Sequence, residues 1–527
     1  MNRKLTTLQM KRIFLMLVIN LFALQVFCQM PKYWIILKDK VTENYDYRKH
    51  LSPEAIQKRK LMKIDLVQYT DIPLNKTYLN KMSKKGVMAV NQSKWLNAIS
   101  AEITPEQKKW LQQQDFVKDI IPIKRKLRSL STNKDSDIMI ENPESASYST
   151  AISQMEASVM KKEGLTGEGI IVGVIDAGYY GLTKNRNLKH LLKDERILGT
   201  KDFVNPERID LFTNMVTYSD DHGNTVVEHI AGVRSKGPQY GFAVDASFYL
   251  ARSEKGDTET RAEEDYWISA VEWLDSLGVR VINTSLGYAS GFDDPEQNYK
   301  LKEMDGNTTV ITKAAQIASE EKGLLLIVSA GNEGNDASWQ IVSAPADAKG
   351  VLSVGAVGAS GLKAGYSSIG PDFLPYLKPN VACFSLMGTS FSAPVITGFA
   401  ACLMQRNPEA TGIEIKEIIE KSGNLFPNGN NFLGYGIPKA SKALSLLEGE
   451  ILEPEFDRRI AAGKSEITIK VSGKGADEAV VFHKRKLHYV TQQTLVKGLR
   501  GKFKLTKPDG AAQSTFVCGD EVIEIIW

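Results

Sequence analysis

Four polar side chains, far apart along 527 residues, each stand where an apolar run ends or begins. Asp176 closes Ile171-Val172-Gly173-Val174-Ile175, and Asn332 follows Leu324-Leu325-Leu326-Ile327-Val328-Ser329-Ala330-Gly331. His222 comes after Asp220-Asp221 and opens a short helical pattern that runs to Gly232. Ser390 lies in Gly388-Thr389-Ser390-Phe391-Ser392-Ala393-Pro394, directly ahead of an apolar stretch reaching Met404. A serine at a helix start has two uses. Its oxygen can cap the helix by accepting a backbone N–H. Alternatively its Oγ is a nucleophile, and the N–H groups at the positive helix end stabilise the oxyanion it creates. As a nucleophile it needs an adjacent base. The His222 imidazole can take a proton near neutral pH and return it to a leaving amine. The Asp176 carboxylate would accept the other ring N–H, fixing the imidazole tautomer and stabilising the imidazolium. Singly, Asp and Asn at strand ends are turn formers. What joins the four is their order along the chain.

The order Asp…His…Asn…Ser resembles the subtilisin-like serine peptidases, and differs from the order in two other serine hydrolase classes. The resemblance runs from about Ser147 to Leu447 and is carried chiefly by Gly388–Pro394 and by Ser329-Ala330-Gly331-Asn332. It implies a secreted serine endopeptidase with Asp176, His222 and Ser390 as triad and Asn332 beside the oxyanion. It further implies that Ser285-Leu286-Gly287, after Val281-Ile282-Asn283-Thr284, pairs with an extended polypeptide substrate as an added strand. The family's own propeptide acts as an intramolecular inhibitor, and its cleavage activates the enzyme. Two departures from the family pattern stand out. The family's catalytic histidine is usually followed by Gly-Thr, and here Asn224 stands in the threonine's place; Val381-Ala382-Cys383-Phe384 replaces the usual Ala-Pro-Gly on the approach to the serine. His229 lacks the following glycine and is not taken as the base. Many relatives hold calcium as a structural ion; Asp293-Asp294 and Asp305-Gly306-Asn307 are oxygen-rich, but neither has a ligand spacing, and no Cys/His spacing suggests zinc. An alternative is a catalytically lapsed relative acting as a cell-surface or extracellular binding protein.

The elements that must position these groups read as α/β. Helical stretches over 262–277 and 308–322 feed apolar strands, which predicts a mostly parallel, doubly wound sheet covered on both faces. Lys11-Arg12 before the apolar run 13–27 predicts a signal peptide over 1–28, too short to span a bilayer. Residues 29–126 form a small α/β unit with strands at 33–37, 87–90, 95–101 and 117–123, and helices capped at Ser52 and Thr104; it resembles the family's propeptide. A polar linker with the maturation site follows over 127–149. The catalytic domain is assigned to 150–450, and a small C-terminal β-domain to 451–527, with strands at 466–471, 479–482 and 516–527.

Composition fits an exported globular protein without a membrane span after the leader. Hydrophobic residues make up 43% and charged residues 24%, an ordinary soluble balance. The formal charge of +4 gives no basis for a nucleic-acid partner. Four cysteines, one of them within the leader, read as buried thiols rather than a disulfide framework. The glycines at 167, 173 and 178 lack dinucleotide or phosphate-loop spacing.

Overall fold

The computed structural model describes residues 30–43, 45–123, 150–217, 219–234, 240–256, 260–290, 292, 295–450, 458–471 and 477–527. The leader and linker predicted from sequence lie outside these residues, as do Asp293 and Asp294.

The N-terminal sheet is antiparallel, in the order β2-β3-β1-β4, from β1 (Lys32–Leu37), β2 (Asn91–Ser93), β3 (Ala98–Glu102) and β4 (Val117–Ile123). Strand alternation sends Ile35 and Leu37 into this unit's own core, while Trp34 faces the opposite way. Ser52 accepts from Ala55 N with Pro53 at the first helical position, and Thr104 and Gln107 form a reciprocal capping box. Two expectations fail here. Residues 87–90 are not a strand: Met88 and Val90 are 63% and 49% exposed, and pairing starts at Asn91. Trp95-Leu96-Asn97 is the turn of a hairpin, with Asn97 at φ +50°, so β3 starts only at Ala98.

The central sheet has seven strands, all paired parallel: β5 (Ile171–Asp176), β6 (Ile197–Asp202), β7 (Ser247–Arg252), β8 (Val281–Thr284), β9 (Leu325–Ser329), β10 (Leu352–Val357) and β11 (Val381–Phe384). Their order is β11-β10-β9-β8-β5-β7-β6. The order reverses at β5, the first strand of this sheet in sequence, and such a switch point opens a crevice at the carboxyl ends of the strands. One face carries the helices Ala262–Ser276 and Val310–Glu320. The other carries His222–Ala231 and Ala393–Arg406. The last of these is buried from Ala393 through Met404, which is why its sequence is apolar all round. Cys383, Cys402 and Cys518 are free and buried.

The N-terminal sheet lays Trp34, Trp95 and Ala98 against the core under Ala262–Ser276. Around that apolar contact runs a buried ionic network. Lys58 reaches Asp275 at 2.7 Å, Arg59 reaches both Asp71 and Asp275 (2.9 Å to the latter), and Lys322 reaches Asp71 at 2.9 Å. The Glu272 carboxylate accepts from Ser93 Oγ, Lys94 N and Trp95 N.

The C-terminal unit holds a five-stranded sheet, β12-β18-β17-β14-β15, and a two-stranded one, β13-β16. Its strands are β12 (Arg458–Ala461), β13 (Glu466–Lys470), β14 (Glu478–Lys486), β15 (Tyr489–Lys497), β16 (Lys502–Thr506), β17 (Gln513–Cys518) and β18 (Glu521–Ile526). The stretch 516–527, read from sequence as one strand, is a hairpin arm pair broken at Gly519-Asp520. One sheet face supplies Val480, Phe482, Val490 and Val522 to the core of the seven-stranded domain.

Candidate active site

All four chemical groups collect at the carboxyl edge of the parallel sheet. Asp176 is the last residue of β5 and fully buried. His222 is the first residue of its helix, with its side chain 27% exposed. Asn332 is exposed three residues beyond β9, and Ser390 lies in the 3-10 turn Thr389–Phe391 that leads into the buried helix.

His222 Nδ1 and Asp176 Oδ1 share a hydrogen bond of 2.7 Å. The same oxygen accepts from Ala177 N at 2.8 Å. Burial by itself would lower the His222 pKa. The Asp176 carboxylate, aided by Asp221 and Glu254, outweighs it and raises the imidazole above its ordinary value. Gly223 permits this approach, because a Cβ there would stand 2.5 Å from Gly178 O and 3.0 Å from Asp176 Cβ. Asn224, the departure noted in the sequence, turns away from the imidazole: its Oδ1 accepts from Asn185 Nδ2 at 3.0 Å, beside a Glu228 carboxylate that holds Asn185 and Asn187. His229 is buried with its pKa pushed down to about 4, its Nδ1 bonds Thr225 O, and its ring stacks on Phe391 at 5.1 Å. It is a neutral packing group.

Ser390 does not cap a helix. Its Oγ donates to Ser285 O at 3.3 Å, and no hydrogen bond joins it to His222 in this arrangement. The turn nevertheless packs against the histidine's helix, with the Phe391 ring 5.4 Å from the imidazole. Gly388 enters the turn at φ +143°, a conformation that side-chain-bearing residues rarely adopt. Thr389 N and Thr389 Oγ1 both donate to Asn332 Oδ1, at 2.9 and 3.1 Å. With its oxygen so engaged, Asn332 has its Nδ2 donor left for another acceptor. The Ser390 N–H is one of the first N–H groups of its helical turn, which have no intrahelical acceptor.

Ser285 is bound to Ser390 twice, since its Oγ also donates to Ser390 O at 2.8 Å. Asn283 Nδ2 holds that Oγ at 3.1 Å, and Thr397 Oγ1 donates to Asn283 Oδ1 at 2.9 Å. Thus β8 and the serine's helix are tied together across more than a hundred residues. Leu286 is half-buried and Gly287 exposed beyond it, which leaves that edge open. Sequence reading gave Asn283, Thr389 and Thr397 no role of their own, because their partners lie too far along the chain for a local pattern to pair them.

The calcium expectation meets a poor fit at Asp305. Its Oδ1 accepts from Asn307 N and Thr308 N and its Oδ2 from Thr308 Oγ1, all within its own turn. Among the described residues no group of three His, Cys, Asp or Glu is placed to hold a metal ion.

A switch point of the parallel sheet thus carries a serine at a helix start, an Asp–His pair and an outward amide. Comparison with known proteins supplies the family. Residues 167–436 match the family described as Subtilase family, and residues 32–141 match the Peptidase S8 propeptide domain of Bacteroidota. Subtilisin NAT from Bacillus subtilis subsp. natto is 28% identical over 360 residues, covering 67% of this chain and 81% of that protein. Subtilisin E from Bacillus subtilis (strain 168) has the same identity and coverage. The serine protease AprX of that strain is 24% identical over 396 residues, 66% of this chain and 79% of its own. Among solved structures, MycP1 with its N-terminal propeptide removed superposes with a TM-score of 0.44 at 22% identity, covering 57% of this chain and 98% of that one. The chain belongs to the subtilase family and is a serine endopeptidase with a propeptide domain.

Proposed function

We propose that this chain is an exported precursor, activated by cleavage of its propeptide, in which Asp176, His222 and Ser390 form the catalytic triad. The observation that carries the reading is the 2.7 Å His222–Asp176 bond on the edge to which Ser390 and Asn332 are also brought. Rotation about the Ser390 Cα–Cβ bond exchanges its weak 3.3 Å bond to Ser285 O for one to the His222 Nε2 face. His222 then takes the Oγ proton as Oγ attacks the peptide carbonyl carbon. Asp176 stabilises the resulting imidazolium. The carbonyl oxygen becomes an oxyanion between Asn332 Nδ2 and Ser390 N–H. His222 gives its proton to the leaving amine, and water repeats the sequence to free the acyl group. Ser285-Leu286-Gly287 supports the substrate main chain as an added strand.

The N-terminal unit is the inhibitor in this reading. Its apolar and ionic contacts with Ala262–Ser276 support that reading. Domain limits of 29–126, 127–149, 150–450 and 451–527, with a leader over 1–28, are part of the proposal, as is export of the enzyme.

A fluorophosphonate probe on mature enzyme tests the site. The expected result is one label on Ser390, lost in Ser390→Ala, whose precursor stays full length. No labelling of wild-type protein, before or after propeptide removal, would overturn the triad assignment and favour a binding role.

A further inference from the structure

One ammonium group close to the Asn332 turn is held by backbone oxygens alone. Lys363 is 9% exposed. Its Nζ donates to Ala364 O at 2.9 Å, to Gly365 O at 3.0 Å and to Ser367 O at 2.9 Å. Those three bonds use every donor an ammonium has. The Phe432 ring lies 5.6 Å from the same nitrogen. Burial lowers the Lys363 pKa to about 8, which leaves the cation as the form present at neutral pH. The residue's backbone is fixed separately: its N–H donates to Gln493 Oε1 at 2.9 Å, and Gln493 Nε2 donates to its carbonyl at 3.1 Å.

Three carbonyls aimed at one point make a cation site. Their dipoles present negative ends in place of a hydration shell, as in carbonyl-lined ion filters. Without the positive charge these oxygens would repel one another, and the buried Ser367 carbonyl would lose this donor. The shape of the loop 364–367 therefore depends on a cation within it.

This loop cradles the turn that carries Asn332. Tyr366 O accepts from Gly334 N at 2.8 Å, Ser368 Oγ accepts from Glu333 N at 3.1 Å, and Ser368 N donates to Gly331 O at 3.1 Å. Contact is closest at Gly334, where a Cβ would collide with Ser367 O and stand 2.7 Å from Gly365 O. Two of the carbonyls around the ammonium thus lie against the backbone two residues beyond Asn332. Tyr366 OH also donates to Ser385 O at 2.8 Å, and Ser385 Oγ to Gly388 O at 2.7 Å, at the entrance to the Ser390 turn. We propose that residues 364–367 form a backbone-carbonyl cation site filled by the Lys363 ammonium, and that this charge, by fixing the loop, positions the Asn332 amide for the oxyanion. Lys363 is then a positioning residue, and the proposal rests on the oxyanion role given to Asn332 above.

Lys363→Ala in the full-length, self-processed enzyme removes the ammonium and leaves room for an ion. On a peptide anilide in tetramethylammonium chloride, kcat should fall about ten- to a hundredfold with KM little changed, the scale of a small misplacement of a reacting group. Replacing that salt by potassium chloride at constant ionic strength should restore most of the loss, because carbonyl oxygens hold potassium as they hold ammonium. Wild type should not respond to the exchange. Lys363→Met, whose uncharged side chain keeps the room occupied, should lose activity and regain none. A Lys363→Ala kcat within a few-fold of wild type, a loss that potassium leaves unchanged, or equal recovery in Lys363→Met would overturn the proposal. If Lys363→Ala does not fold, Tyr366→Phe decides: it cuts the loop's tie to Ser385 and should lower kcat about three- to tenfold, more than it raises KM. An unchanged kcat would overturn it. Fluorophosphonate labelling of each variant at Ser390, with Asn332→Ala assayed alongside, separates failure of this proposal from failure of the site assignment.

Discussion

Replacing Asn332 by alanine removes the amide donor without touching the Asp176–His222 bond. The expected loss is about 10²–10³ in kcat with KM little changed, a magnitude borrowed from removal of the corresponding donor in a subtilisin. Steady-state kinetics on a peptide anilide measures it, and a kcat within a few-fold of wild type would remove Asn332 from the oxyanion site. The charge on His222 sets the pH dependence. Catalysis needs the neutral imidazole, and Asp176 raises its pKa above 6.5. Activity should therefore fall as pH drops through that raised value, the protonated form being inactive. A kcat/KM profile flat to about pH 5 would exclude His222 as the base. Gly223→Ala brings a Cβ to 2.5 Å from Gly178 O. That clash should separate the loops of Asp176 and His222 and lower kcat while the protein stays folded, as checked by circular dichroism.

Between elements, the decisive contact is the buried ionic network that joins the N-terminal unit to Ala262–Ser276 and Lys322. Asp275 is fully buried, and the cations Lys58 and Arg59 overcome its desolvation to hold its carboxyl below the usual range. Desolvation makes a buried ion pair weak evidence of net stability, but removal of one partner leaves uncompensated charge and costs about 3–5 kcal/mol. Asp275→Ala strands Lys58 and Arg59 in that environment. The separately added propeptide should then inhibit mature enzyme at least a hundredfold more weakly, as read from an inhibition constant. Unchanged inhibition would show that the apolar contact around Trp34 and Trp95 alone holds the unit. The sign for pH follows from the depressed Asp275 pKa. The stabilisation is present above the ordinary carboxylate pKa and is lost only as pH falls through the lowered one, so mild acid alone should not release the propeptide.

For the whole molecule, the C-terminal unit is packed into the catalytic core and does not hang from a tether. Val480, Phe482, Val490 and Val522 are buried in that core, and Asn431 Oδ1 accepts from Val490 N at 2.8 Å. Each such side chain is worth about 1.5–3 kcal/mol when fully buried. Truncation after residue 450 should lower the melting temperature, while Ser390, in the turn ahead of its helix, should keep its reactivity toward fluorophosphonate at low temperature. A truncated protein as heat-stable as the full chain would show that this packing contributes little.

Local pattern determined much about this protein by itself. Apolar runs ending at Asp176 and Asn332, the Gly388–Pro394 stretch and the caps at Ser52 and Thr104 are short-range signals, because a strand or helix end is defined within a few residues. Those signals sufficed for the parallel α/β class and the family. Residues 87–90 and 95–97 misled for the same reason: alternating apolar residues mark a strand only where one face has something to cover. Tertiary structure alone decided that Ser285 grips Ser390, that Tyr288 donates to Glu254, and that Asp275 gathers Lys58 and Arg59. These pairs are separated by up to 217 positions, and nothing near either partner marks the other. Their chemistry exists only after the sheet has brought its strand ends together and excluded water from between them.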